Sequence, residues 1–148
     1  MSAPAPQDLV GTAIPGGTWT VAEHENWLGH DALYSAPQEA PHPLMAFVAA
    51  QRGLGVSVAD LFRSWGTEMG DGPMLTESTL EFPAERSLEF RAGVEYAVGG
   101  VVESVVRKSG RTMGEFDLLT ARFELAGPDG SVVAAVRNTY ALPRRAER

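Results

Sequence analysis

The chain has 148 residues, of which 44% are apolar and 21% charged, the make-up of one ordinary globular domain. A net charge of −7 argues against nucleic acid, which needs a basic face. The absence of cysteine excludes disulfides and a zinc–thiolate site, and fits a cytoplasmic location. No stretch approaches the ~18 consecutive apolar residues of a membrane span, so no membrane partner is expected. Met1 to Pro6 carries neither a basic run nor an apolar run, so it reads as tail rather than secretory signal. The expected division is a flexible tail over 1–15, a single domain over 16–144, and a short tail over 145–148.

Gly16-Gly17 precede a strand candidate, Thr18 to Val21, and a modest helix follows from Ala22 to Gly29. His24 falls on its exposed face beside Glu23 and Glu25, whereas Trp19, Trp27 and Trp65 read as packing residues. Pro37, Pro41 and Pro43 mark Asp31 to Pro43 as loop, because proline removes a donor and biases its predecessor away from helix. Pro43 suits the first position of a second helix, which runs to about Arg52 and closes at Gly53. The run Leu44-Met45-Ala46-Phe47-Val48-Ala49-Ala50 is apolar all round, which predicts a helix buried on all sides with Phe47 in the core. Ser57, with Asp60 at the third helical position, caps a third helix with Val58, Leu61, Phe62 and Trp65 at helical spacing.

After the turn Gly70-Asp71-Gly72-Pro73, the pattern changes to period two. Strands are predicted over Met74 to Phe82 and Val94 to Val106, with Gly99-Gly100 marking a bulge or bend. After a turn at Lys108 to Arg111, Leu119, Ala121, Phe123 and Leu125 share one face of the next strand. Gly127-Pro128-Asp129-Gly130 is a hairpin turn, and Val132, Ala134, Val136, Tyr140 and Leu142 alternate along the last strand. Arg144 to Arg148 reads as a solvated basic end. Helices followed by an antiparallel meander make an α+β fold, in which a long sheet curling around the apolar helix would bury it.

From about Trp19 to Arg144 the chain resembles the MaoC-like hot-dog hydratases and dehydratases, in the branch similar to the N-terminal half of double-hot-dog dehydratases. The resemblance rests on Ala40-Pro41-His42-Pro43 before the apolar helix and Gly72-Pro73-Met74-Leu75 before the next strand. It continues through Glu81-Phe82, Val94-Glu95-Tyr96, Val101 to Val105, Arg107 to Gly110 and Asn138 to Arg144, each in the expected order. It implies a hot-dog fold, and as substrate an (R)-3-hydroxyacyl thioester on coenzyme A or an acyl carrier protein. It further implies reversible loss of water to a 2-enoyl thioester, with no metal or other cofactor. A histidine and an aspartate would share the proton transfers, and the N-terminus of the central helix would stabilise the thioester enolate.

Asp31 aligns with the aspartate of the D-x-N-P-x-H motif that active members carry. The N, P and H positions then fall on Leu33, Tyr34 and Ala36, and Pro43 stands where the family has a glycine N–H. The candidate catalytic residues are therefore Asp31, His42 and His30. Pro43, Leu44 and Tyr34 are the candidate substrate-binding residues. Three functions compete: an independent hydratase or dehydratase, a non-catalytic acyl-binding subunit of a heteromeric one, and a hot-dog thioesterase or acyl sensor. A sheet with open edges also predicts a dimer, either a homodimer or a heterodimer with a second hot-dog subunit.

Overall fold

The computed structural model describes residues 4–86 and 89–144. Four helices, α1 (Pro6–Leu9), α2 (Glu23–Ala32), α3 (Leu44–Arg52) and α4 (Val58–Ser64), accompany five strands. The strands are β1 (Ala13–Thr20), β2 (Met74–Glu81), β3 (Glu95–Gly110), β4 (Gly114–Ala126) and β5 (Val132–Pro143). They form one antiparallel sheet in the order β1-β3-β4-β5-β2. Period-two burial along β4 turns Asp117, Leu119, Ala121, Phe123 and Leu125 to the inner face. Tyr96, Val98 and Val102 of β3 and Val136, Tyr140 and Leu142 of β5 join them in the core. α3 lies against that face and touches all five strands.

Met45, Ala46, Ala49 and Ala50 of α3 are buried against the sheet, and the three alanines let the helix sit close to it. The helix is not buried on all sides. Leu44 is 42% exposed, and Phe47 and Val48 are only partly covered. Its apolar circumference therefore exceeds what one sheet covers. Pro43 is the N-cap rather than the first helical residue, though its φ of −50° and ψ of −32° are already helical.

Order begins earlier than the expected boundary at residue 16. α1 and β1 both start before it, and Leu9 and Ile14 are buried in the core. The glycine pair on β3 also plays a different part. Register is continuous through Gly99↔Glu124 and Gly100↔Phe123, and the irregularity lies between Val102 and Ser104. A Cβ at Gly100 would come 2.9 Å from the Arg122 carbonyl oxygen, 3.0 Å from the Phe123 ring and 3.2 Å from Ile14, so glycine here admits both the β4 backbone and those side chains. β1 is irregular between Ile14 and Gly17, and at Gly17 a Cβ would lie 2.4 Å from the Gly53 carbonyl oxygen. This close approach ties β1 to the end of α3.

Arg144 is not part of a solvated end. Its Nε donates to Asp117 Oδ2 at 2.7 Å, and its Nη1 donates to the carbonyls of Trp65 and Gly66 at 2.8 and 3.1 Å. Arg107 holds the other side of the carboxylate, Nε to Oδ1 at 2.8 Å. A buried carboxylate on β4 thus joins the two neighbouring strands and, through Arg144, the end of α4. Arg145 to Arg148 lie outside the described residues.

Burial alone would raise the Asp117 carboxyl, but hydrogen bonds from Arg107 and Arg144 outweigh it and hold it below the usual range. A carboxyl depressed in the folded state stabilises fully above its unfolded pKa, and the benefit is lost as pH falls through the folded value. Asp117→Asn should therefore cost about 3–5 kcal/mol at neutral pH by leaving the arginines uncompensated. Below about pH 4 the variant should lose stability less steeply than wild type, as urea melts across pH would measure.

Core packing makes a second prediction. Phe123 is 0% exposed, so Phe123→Ala should cost about 3–5 kcal/mol. Phe47→Ala should cost clearly less in the isolated chain. Equal losses in denaturant melts would mean that another chain covers the outer face of α3 in solution.

Candidate functional site

The candidate residues converge on the end of α2, the loop 33–43 and the start of α3. α2 continues to Ala32, beyond the expected end at Gly29, so Asp31 sits in its last turn rather than in the loop. The helix ends in a Schellman motif, with Tyr34 N–H on the Asp31 carbonyl at 3.1 Å and Ser35 N–H on the His30 carbonyl at 2.8 Å. This motif puts Tyr34 in the left-handed region, at φ 54°, where glycine is the usual residue.

His30 is 2% exposed and both of its ring nitrogens are engaged. Nε2 lies 2.9 Å from the Ala40 carbonyl oxygen, which can only accept, so Nε2 carries a proton. In the neutral ring Nδ1 then accepts from the Ser35 hydroxyl, 3.0 Å away. His30 thereby ties both ends of the loop to α2. Asn26, one turn earlier, adds an anchor through Nδ2 to the Gln38 carbonyl at 2.8 Å.

His42 is half-buried, and its ring stands 6.1 Å from that of His30 in an edge arrangement. Its Nδ1 accepts the Leu44 N–H at 3.1 Å. The Met45 N–H reaches the His42 carbonyl at 2.8 Å, and the Ala46 N–H the Pro43 carbonyl at 3.0 Å. The first N–H groups of α3 are therefore satisfied within the chain. His42 Nε2 has no partner among the described residues.

The structure thus brings His30, His42, Pro43 and Leu44 together but leaves Asp31 apart. The Asp31 side chain is exposed, and among the described residues nothing bonds its carboxylate to either histidine. Tyr34 is wholly exposed and Leu44 partly so. A cavity of about 470 Å³ lies alongside, lined by Glu23, Asn26, Pro37, Gln38, Glu39, Arg91 and Ala92. A second, of about 460 Å³, lies over β3 and β4 and is lined by residues including Gly99, Arg122 and Glu124. Neither is lined by Asp31, His42, Leu44 or Tyr34. Among the described residues, no group of three or more His, Asp or Glu could hold a metal ion. No helix there is long and apolar enough to cross a membrane.

Sequence reasoning missed a polar chain beneath α3. Ser78 Oγ donates to Asn138 Oδ1 at 2.7 Å, while Asn138 Nδ2 and Gln51 Nε2 donate to the Tyr140 hydroxyl at 3.0 and 3.2 Å. Burial raises the Tyr140 phenol, so it stays protonated at neutral pH. Its ring packs on Phe62 and Trp65. The available signal was Asn138 and Tyr140 falling in phase with the apolar face of β5.

The role of His30 is testable. His30→Ala should cost about 1–3 kcal/mol, since the Ala40 carbonyl loses its donor. Hydrogen exchange over residues 33–43 should rise with it. An unchanged melt and unchanged protection would show that the loop does not depend on this ring.

Comparison with known structures then sets the fold. No protein-family model matches the chain, and no curated protein matches it by sequence. A chain of the HadBC (3R-hydroxyacyl-ACP dehydratase) complex from Mycobacterium tuberculosis superimposes with a TM-score of 0.68 at 15% identity. The match covers 93% of this chain and 99% of that one. The MaoC-like dehydratase from Rhodospirillum rubrum matches at 0.61 and 16% identity, over 95% and 97% of the two chains. The (R)-hydratase from A. caviae matches at 0.54 and 14%, over 90% and 96%. With the five-stranded antiparallel sheet and its packed helix, these likenesses establish that the chain has the hot-dog fold of the MaoC-like dehydratases and hydratases.

Proposed function

We propose that the chain is the non-catalytic, acyl-binding subunit of a heteromeric hot-dog dehydratase acting on 3-hydroxyacyl and 2-enoyl thioesters. One observation carries this reading: the acid–base pair is not assembled. His30 spends both nitrogens on holding a loop, and the Asp31 carboxylate stands in solvent without a histidine partner. The helix entry that would meet a thioester oxygen has its leading N–H groups already bonded. A partner hot-dog chain with the full D-x-N-P-x-H motif would supply the proton transfers. This subunit would contribute Leu44, Pro43 and Tyr34 to the acyl side of the site.

Two surfaces suit such a partner. β2 is an edge strand exposed from Met74 to Thr79, with an unpaired row of backbone groups beyond it. The outer residues of α3 are the apolar surface that the sheet leaves partly open. Among the similar structures, HadBC and ChsH1-ChsH2 are complexes, the latter at a TM-score of 0.55 and 12% identity. The thioester carrier would be coenzyme A or an acyl carrier protein. Cytoplasmic location fits a chain without cysteine.

A second reading keeps the chain as an independent hydratase, with His42 as base and Asp31 as its acid partner. It is favoured by the free Nε2 of His42, two residues before the helix. Loss of the enoyl-thioester absorbance on a trans-2-enoyl-CoA separates the two readings. The expected result is no turnover by the purified chain and turnover with a motif-bearing hot-dog subunit, unchanged by His42→Ala or Asp31→Asn. Turnover by the chain alone, falling ~10²-fold or more in either variant, would establish the second reading instead.

A further inference from the structure

We draw no further inference here: the strongest candidate, the cavity of about 470 Å³ between the start of α2, residues 37–39 and Arg91, carries nothing, because its charged groups Glu23, Glu39 and Arg91 all stand in solvent and the unpartnered side-chain oxygen of Asn26 is buried out of a ligand's reach, so nothing there identifies an occupant.

Discussion

The contact between α3 and the sheet is the constraint on which the rest of the molecule depends. Met45, Ala46, Ala49 and Ala50 press one side of the helix onto a face built from β3, β4 and β5. Alanine makes this approach close, at little cost in side-chain entropy. The sheet must accommodate the helix, and it does so with irregular register on β1 and β3 and with glycine where side chains meet at closest range. On the other side of α3, Leu44, Phe47 and Val48 are only partly covered.

Polar groups hold the edges of that arrangement. Asp117, Arg107 and Arg144 bind the far ends of β3, β4 and β5 to one another, and Arg144 also takes the carbonyls at the end of α4. Tyr140 and Asn138 tie β5 to α3 and to β2 from inside. Breaking either set would leave buried polar atoms unpaired, so the cost lies in the desolvation that is no longer compensated rather than in the bonds alone.

Much of this was legible in the residues themselves. Period-two alternation from Leu119 to Leu125 and from Val132 to Leu142 placed two central strands, and the all-apolar run from Leu44 to Ala50 placed the central helix. Local signals were weaker where long-range contacts decide the outcome. Gly99-Gly100 reads as a bulge, yet at Gly100 the Arg122 carbonyl, the Phe123 ring and Ile14 take the space that a side chain would need. Arg144 looked like tail because its partner, Asp117, is 27 residues away in sequence. α2 was cut short at Gly29 because nothing local announces a Schellman motif whose left-handed residue is tyrosine. The candidate site was legible as a place and as a residue set, but not as an arrangement. Neighbouring residues such as His30 and Asp31 point in different directions once the helix runs through both.

That divergence decides what the entry to α3 can do. A helix N-terminus stabilises developing negative charge only through N–H groups that are free to reach it. Here the His42 ring takes the Leu44 N–H, and the turn through His42 and Pro43 takes the next two. A ligand oxygen would have to displace the imidazole to gain one donor. If it did, His42 Nδ1 would be released beside that oxygen, able to exchange protons with it. His30, bonded at both nitrogens, holds the loop 33–43 against α2.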